Sequence, residues 1–242
     1  MNIQILEKIN STNDYLKENK DLLNHNFCAI WAKRQTKGRG RKENQWYCGE
    51  NLDLAFSFVY HPPENFEQVT LITLYIGLAV FQFIYKNINN KDKLKIKWPN
   101  DILYDNKKLC GILCERVFIN DNKSAIIAGI GININTLDFP EELKKTSVSL
   151  KQITGKTFDL FHFLREMTAE IESFLNNMQY PMSENIRFEL LENSHSIGKP
   201  VKFNHDEHIL TGTVKDIALD GCLIVKENIS KKMHKIFEAV FL

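Results

Sequence analysis

The sequence predicts an α+β body followed by a small antiparallel β-module, and three observations support this prediction. Period-two and helical hydrophobic patterns are interleaved over roughly the first 195 residues. Beyond residues 197–200 the chain changes to short strand-like pieces separated by turn signals such as Asp220-Gly221. The length of 242 residues fits one large domain with a smaller one, so we divide the chain into 1–196 and 197–242.

Regular alternation of apolar and polar side chains marks the strands of the body. Residues 1–9 form a first candidate strand, and residues 52–58 alternate clearly. Residues 94–98 place lysines between apolar side chains and predict another half-buried strand. Residues 110–118 and 125–133 complete the set, and the second of these is apolar enough to lie in the centre of a sheet.

Helical spacing of apolar residues predicts four helices, at residues 12–19, 66–88, 158–177 and 183–193. Ser11 is a good N-cap for the first helix, and Asp14 three residues later completes a pattern similar to a capping box. In the C-terminal module, four short strand-like pieces indicate a small β-barrel: residues 201–203, 209–217, 222–226 and 236–241.

The composition is that of an ordinary globular protein and excludes several classes. The 31 basic and 30 acidic residues give a net charge of +1, which disfavours general attraction to nucleic acid. We find no run close to a membrane span and no signal-peptide features, so a cytoplasmic protein is expected. The five cysteines form no CxxC pair and lack zinc spacing, which predicts reduced, mostly buried thiols and no metal site in the protein.

A glycine- and arginine-rich loop is the first candidate functional segment. Three of the six arginines of the chain lie within residues 34–41. Gly40 allows the backbone to approach a ligand, and Arg39 and Arg41 supply permanently charged donors for phosphate or carboxylate. Trp46 offers a ring that could stack on a base. A solvated basic turn is the alternative, and the segment does not match the common GxxxxGK[ST] phosphate loop.

A second group of polar residues runs from Lys97 to Ile102, followed by a strand that begins near Lys108. We expect Asn100 and Asp101 to form the turn after the first strand. A carboxylate and an amine would then lie at the ends of neighbouring strands. Two hairpin turns with solvated charges are the alternative interpretation.

The third candidate segment is the apolar run at residues 128–135. Gly129 and Gly131 would weaken the packing of such a strand unless another group must approach its backbone. Asn133 and Asn135 lie two residues apart and therefore share a face of the strand. Taken alone, this signal is weak.

Together these segments resemble the biotin protein ligase family. Four blocks occur in the order typical of the family, and a weaker fifth is Ser149-Leu150 before Gly155; the four are Ser11-Thr12-Asn13, residues 35–46, residues 97–101 with 108–113, and residues 129–133. The resemblance implies a mixed β-sheet catalytic domain with helices packed on it, followed by an SH3-like barrel. The first block begins at residue 11, so we expect the single-function class without an N-terminal DNA-binding domain.

The activity that this resemblance implies has two steps. ATP activates biotin to biotinyl-5'-AMP, and the biotinyl group then passes to a specific lysine of a biotin carboxyl carrier domain, as in acetyl-CoA carboxylase. Biotin and ATP are the small-molecule substrates, Mg²⁺ is the expected companion of ATP, and neither nucleic acid nor membrane is an expected partner. The sequence leaves open whether the chain forms a homodimer.

The resemblance also implies roles for individual residues. Biotin would contact Ser11, Thr12, Asn13, Gln35, Arg39, Gly40, Arg41, Lys108 and Gly111. ATP or the adenylate would contact Arg39, Arg41, Trp46, Asn100, Lys108, Gly129, Gly131 and Asn133. The catalytic set would be Lys108, Arg39, Arg41 and Asp101.

Two features of this assignment are open. Asp101 could orient the acceptor amine, help to deprotonate it, lie near magnesium, or only stabilise its turn. The loop also departs from the family pattern, because residues 42–45 replace a glycine and a final arginine with Lys-Glu-Asn-Gln. This change puts loop closure and retention of the adenylate in doubt, whereas Arg39 and Arg41 remain for activation.

Two other functions compete with this interpretation. Lipoate protein ligase resembles the biotin enzymes in catalytic fold and adenylate chemistry, but it normally has a different arginine-glycine pattern and no Trp-Pro-Asn-Asp block. A non-catalytic sensor of biotin or nucleotide belongs to another class. The presence of both Lys108 and Asp101 argues against a sensor, since binding alone does not need both.

Overall fold

The computed structural model describes residues 1–42, 44–63, 68–121, 123–206 and 208–242. Its first sheet is mixed, and its strands follow the order β1-β2-β3-β7-β6-β5-β4. Only β1 and β2 run parallel, and the other neighbours are antiparallel. The strands are β1 (Asn2–Ile9), β2 (Cys28–Gln35), β3 (Leu54–Tyr60), β4 (Leu94–Lys97), β5 (Asp101–Tyr104), β6 (Lys107–Asn120) and β7 (Lys123–Ile132).

Helices cover both faces of this sheet. On one face, α1 (Thr12–Glu18) packs on β3 and β7 through a small cluster that includes Leu16 and Val59. On the other face, α2 (Val69–Asn87) and α4 (Leu160–Asn176) pack on each other, and α2 also contacts β6. Because both faces are covered, all seven residues of β3 are buried.

Helix α2 is apolar on all sides because it lies within the core. By length and composition alone it could cross a membrane, so the expectation that no run approaches a span was wrong. In the fold, 72% of its most apolar window is buried. The prediction began this helix at Phe66, which lies outside the described residues.

The remaining helices follow their capping residues. The Oγ of Ser11 accepts from the backbone N–H of Asp14 at 3.5 Å, as predicted. Helix α3 (Leu150–Thr154) begins after Ser149, which forms a complete capping box with Gln152. Helices α4 and α5 (Glu184–Glu192) lie within the predicted segments.

The C-terminal residues form an all-antiparallel sheet with strand order β11-β10-β9-β8-β12. The strands are β8 (Pro200–His205), β9 (His208–Ile217), β10 (Leu223–Glu227), β11 (Met233–Ile236) and β12 (Val240–Phe241). The predicted β-module is therefore present. It joins the body in one continuous apolar core, and the indole of Trp98 donates to the Gly221 carbonyl oxygen at 2.8 Å. The domain boundary at residue 196 stays a prediction.

One local expectation was wrong. Asp101 was expected in a turn, but it is the first residue of β5 and pairs with Gly111 of β6. The turn occupies residues 98–100, after β4 has ended at Lys97. Asp101 is consequently held by a strand ladder, which fixes its position more firmly than a loop would.

Candidate active site

The candidate site is a cavity on the α1 side of the central strands, under the loop that joins β2 to β3. Of the fifteen predicted site residues, all except Asp101 and Asn133 line it: Ser11, Thr12, Asn13, Gln35, Arg39, Gly40, Arg41, Trp46, Asn100, Lys108, Gly111, Gly129 and Gly131. The structure thus brings together segments that are up to about 120 residues apart in the chain. The prediction of one shared site agrees with this arrangement.

The floor of the cavity is a trough of small residues. Gly131 of β7 pairs with Gly111 of β6 on one side and with Ala55 of β3 on the other. The indole of Trp46 lies in this trough, and a Cβ atom at Gly131 would overlap its ring. The Nε1 of Trp46 is buried and has no hydrogen-bond partner among the residues that the structure describes. Its N–H therefore remains available to a ligand.

A chain of hydrogen bonds forms the polar end of the trough. The Oε1 of Gln35 accepts from the backbone N–H of Thr12 at 2.7 Å. The hydroxyl of Ser57 lies 2.6 Å from the Thr12 Oγ1 and 2.5 Å from the Oδ1 of Asn13. Gly129 is required beneath this group, because a Cβ there would overlap the Asn13 amide. Closely spaced donors and acceptors in a buried place suit a ligand that has both, such as a cyclic urea.

The glycine-rich loop is closed by its own backbone and holds its arginines apart. The N–H of Gly40 donates to the Asn44 carbonyl oxygen at 2.7 Å. Arg39 pairs with Asp14 of α1 and with Glu115 of β6, and Arg41 Nη1 donates to Asn100 Oδ1 at 3.3 Å. Partial burial disfavours the charge of Arg39. The negative charges and hydrogen bonds of Glu115 and Asp14 outweigh this effect and raise the pKa of Arg39.

A bulge in β6 decides where the lysine points. Leu103 pairs with Lys108 while Ile102 pairs with Cys110, so β6 contains one extra residue here. In a regular strand, Lys108 and Gly111 would face opposite sides of the sheet. With the bulge they share the trough, and a Cβ at Gly111 would lie 2.9 Å from the Cε of Lys108.

Lys108 is fixed at the rim of the trough by two further groups. Its Nζ lies 2.8 Å from Asp101 Oδ1 and 5.4 Å from the centre of the Trp46 ring. Asn100 supports the same carboxylate, since its Nδ2 donates to Asp101 Oδ1 at 3.1 Å and to the Ile112 carbonyl oxygen at 3.1 Å. The cation is therefore held in place before any ligand arrives.

Asn133 lies behind the cavity wall. Its Nδ2 donates to the carbonyl oxygens of Lys108 and Val148, both at 3.2 Å, and its backbone N–H donates to the Leu109 carbonyl oxygen at 3.0 Å. Both amide hydrogens are engaged by the protein, so this geometry favours positioning of the bulged strand. The contact of Asn133 with ATP or the adenylate, which the family resemblance implies, stays a prediction.

Two polar residues of the site, Ser57 and Glu115, were missed by sequence reasoning, as was the buried Asp53, which accepts from the backbone N–H groups of Gly49 and Ile134. Ser57 and Asp53 looked like ordinary polar positions of an alternating strand. Glu115 follows Gly111 and Leu113 at two-residue spacing on β6, so its place on the trough face could have been inferred.

Burial raises the pKa of Cys114, the residue before Glu115, to about 12, which leaves this thiol protonated.

The family comparison agrees with this geometry. Residues 5–133 match the model of the biotin/lipoate A/B protein ligase family. The chain belongs to this family. The family segment contains every predicted site residue, from Ser11 to Asn133.

Individual relatives extend the family match over most of the chain. The bifunctional ligase/repressor BirA of Bacillus subtilis is 31% identical over 220 residues, covering 87% of this chain and 64% of the relative. A BirA from Bacillus spizizenii is 38% identical, with 54% of this chain and 40% of that relative covered. The chain thus spans less than two thirds of these two relatives. The biotin–[acetyl-CoA-carboxylase] ligase of Paracoccus denitrificans is 23% identical, with 88% and 89% covered.

Solved structures confirm the fold. The biotin protein ligase of Aquifex aeolicus, in complex with biotin and ATP, superposes with a TM-score of 0.83 at 28% identity. The match covers 100% of this chain and 97% of the Aquifex chain. The predicted fold class, a mixed sheet with packed helices and a small C-terminal β-module, is confirmed.

Proposed function

We propose that this protein is a biotin protein ligase, which forms biotinyl-5'-AMP from biotin and ATP and then biotinylates a lysine of a carrier domain. The observation that carries the proposal is the layout of the trough. A urea-like hydrogen-bonding network lies over Gly129, and an aromatic ring with a lysine lies over Gly131. These positions are about 7 Å apart along β7, so one extended ligand can reach both.

Within the first step, the cationic residues gather two anionic groups. The carboxylate oxygen of biotin attacks the α-phosphorus of ATP, and the bond to the departing pyrophosphate breaks. The negative charges of the biotin carboxylate and the ATP phosphates repel each other and oppose the approach of the two substrates. We assign Lys108, Arg39 and Arg41 to these groups, because positive charge offsets that repulsion. We assign the Trp46 ring and the bare backbone of Gly131 to the adenylate side of the trough.

The second step needs a neutral amine. A lysine of the acceptor attacks the acyl carbon, AMP leaves, and the amine loses a proton. A free lysine has a pKa of about 10.4, so a carboxylate near the amine assists this loss. Asp101 Oδ1 is engaged by Lys108 and Asn100, and we assign Oδ2 to the incoming amine.

Magnesium fits this site as a companion of ATP. In the part of the chain that the structure describes, no three His, Cys, Asp or Glu side chains gather to hold a metal ion. Mg²⁺ is usually held by phosphates, water and one or two carboxylates, which is compatible with this site. Bound there, it would screen the phosphate charge. Cytoplasmic location stays a prediction.

Biotin is favoured over lipoate by the network at Thr12, Asn13, Gln35 and Ser57. A urea offers both donors and acceptors with which this network can exchange hydrogen bonds, whereas a dithiolane ring offers neither an N–H nor a carbonyl oxygen. The acceptor is proposed to be the carrier domain of acetyl-CoA carboxylase, since the relative from Paracoccus denitrificans is named for that reaction.

The test is biotin-dependent exchange of labelled pyrophosphate into ATP, with lipoate run in parallel. We expect exchange with biotin and none with lipoate. Folded protein that shows no exchange with biotin would refute the ligase proposal. Exchange with lipoate alone would assign the chain to the other branch of the family, and biotin binding without exchange would indicate a sensor.

A further inference from the structure

Glu115 is a half-buried carboxylate that the proposed reaction does not yet use. It lies on the trough face of β6, beside the arginine loop, with its side chain 20% exposed. Its Oε2 accepts from Asn13 Nδ2 at 2.7 Å. Its Oε1 accepts from Lys17 Nζ and from Arg39 Nη2, each at 2.7 Å. One side chain thus contacts a residue of the polar network and a residue of the arginine loop.

The contact with Asn13 fixes the direction of its amide. Asn13 Nδ2 donates to the Leu113 carbonyl oxygen and to Glu115, and Asn13 Oδ1 receives the Ser57 hydroxyl. The opposite orientation would place Oδ1 against a carbonyl oxygen and a carboxylate, which are both acceptors. Without Glu115, one of the two restraints on Nδ2 is lost, and the amide can rotate.

The contact with Arg39 adds a side-chain restraint to the loop, beside the backbone hydrogen bond from Gly40 to Asn44. Arg39 is flanked by Gly38 and Gly40, and its side chain is 38% exposed. An isolated ion pair at such exposure contributes little. Here four charges alternate in sign, because Asp14 also pairs with Arg39 and Lys17 also approaches Asp14. Such a network reduces the entropy that the guanidinium loses when it meets an anionic ligand.

We propose that Glu115 is a positioning residue of the ligase reaction. By holding the Asn13 amide and the Arg39 guanidinium at once, it sets the geometry of the biotin head site and of the phosphate site together. This inference rests on the proposed ligase function, and it assigns Glu115 no contact with substrate.

The test combines Glu115→Ala with the variants of its two partners. We expect E115A to raise the dissociation constant of biotin about tenfold and to lower kcat/KM for ATP in pyrophosphate exchange about tenfold. In an R39A background, E115A should change the ATP parameter less than threefold. In an N13A background, it should change biotin binding less than threefold. Such non-additivity is expected only if Glu115 acts through these partners.

Two further variants control for effects on folding. Glu115→Gln keeps the volume but has only one acceptor oxygen, so it can serve one partner and should lie between wild type and E115A. Glu170→Ala removes another ion-paired glutamate, 2.7 Å from Lys86 and remote from the site, and should leave exchange unchanged. Thermal unfolding of each variant checks that the fold persists.

The outcomes separate this inference from the proposed function. Wild-type protein without exchange refutes the ligase proposal itself. Wild-type exchange with an unchanged E115A refutes only the role of Glu115. The role is also refuted if E115A has the same fold-effect in the R39A and N13A backgrounds as in the wild-type protein. That result would show that Glu115 acts independently of Asn13 and Arg39.

Discussion

The ammonium nitrogen of Lys108 lies 2.8 Å from Asp101 Oδ1, although the regular ladder of β6 would direct this lysine to the other face of the sheet. The extra residue in β6 reverses the alternation and brings the lysine onto the trough. Bulges next to active sites commonly redirect side chains in this way. The two residues have different tasks in the proposed reaction, and separate variants should distinguish them.

Lys108→Gln should abolish most of the first step. The amide keeps much of the length but removes the positive charge that stabilises the carboxylate and phosphate as they approach. We expect pyrophosphate exchange to fall about 100-fold or more. Lys93→Gln is a matched control, since Lys93 forms a similar pair with Asp105 at 3.0 Å on the surface. Equal losses in both variants would refute a specific role for Lys108.

Asp101→Asn should impair transfer more than activation. Asparagine retains an oxygen for Lys108 but cannot accept a proton from the acceptor amine. We expect exchange within about tenfold of wild type and transfer to a carrier domain lowered about 100-fold. Single-turnover transfer from preformed biotinyl-5'-AMP measures the second step directly. A variant that loses both steps equally would show that Asp101 acts only by holding Lys108.

Gly131→Ala should displace Trp46 from the trough. The added Cβ would overlap the indole ring, and β7 is too firmly paired on both sides to move away. We expect the KM for ATP to rise about tenfold, because overpacking costs about 1–3 kcal/mol and here that cost falls on the position of the Trp46 ring. In Gly77→Ala the new Cβ meets Ile112 Cδ1 at an ordinary 3.6 Å, so this helix variant should keep full exchange. Normal ATP kinetics in G131A would contradict the assignment of Trp46.

Asp53→Ala should destabilise the protein without removing any proposed ligand contact. Asp53 is 1% exposed and accepts from the N–H of Gly49 at 2.9 Å, the N–H of Ile134 at 2.7 Å and the hydroxyl of Thr136 at 2.6 Å. These donors would lose their partner inside the protein. We expect a loss of about 3 kcal/mol in the free energy of unfolding, measured with urea. Asp138→Ala, an exposed position, should change it by less than about 0.5 kcal/mol.

Sequence patterns indicated which residues gather around one cavity better than they indicated the local geometry. Glycines within apolar strands were informative, because Gly129 and Gly131 do lie under polar and aromatic side chains. Arginines between glycines likewise indicated the loop at Arg39 and Arg41. Such patterns can be recognised in the sequence because each involves only residues that are close together along the chain.

What could not be predicted depends on pairing between strands. The bulge that turns Lys108 toward the trough follows from the register of β5 on β6, and no local residue pattern encodes it. The same register makes Asp101 a strand residue and not a turn residue. The contacts of Glu115 depend on residues 76 to 102 positions away, which sequence spacing alone does not place together.

The titration of Glu115 should appear as a pH dependence of stability. Partial burial opposes its charge, but hydrogen bonds from Lys17 and Asn13 and the charges of Lys17 and Arg39 hold the pKa of this carboxyl below its ordinary value. A carboxyl with a lowered pKa in the folded state binds fewer protons than it does in the unfolded chain. It therefore stabilises the fold above the unfolded pKa of about 4.3, and this contribution is lost as the pH falls through the folded value.

Urea unfolding of wild type and Glu115→Gln at several pH values measures this contribution. The difference in free energy of unfolding should be constant between about pH 8 and pH 5.5, with wild type the more stable. It should shrink below about pH 4.3, because the wild-type carboxyl then becomes neutral like the amide. A difference that persists unchanged to about pH 3 would show that the charge of Glu115 does not stabilise the network, and that the variant acts through packing.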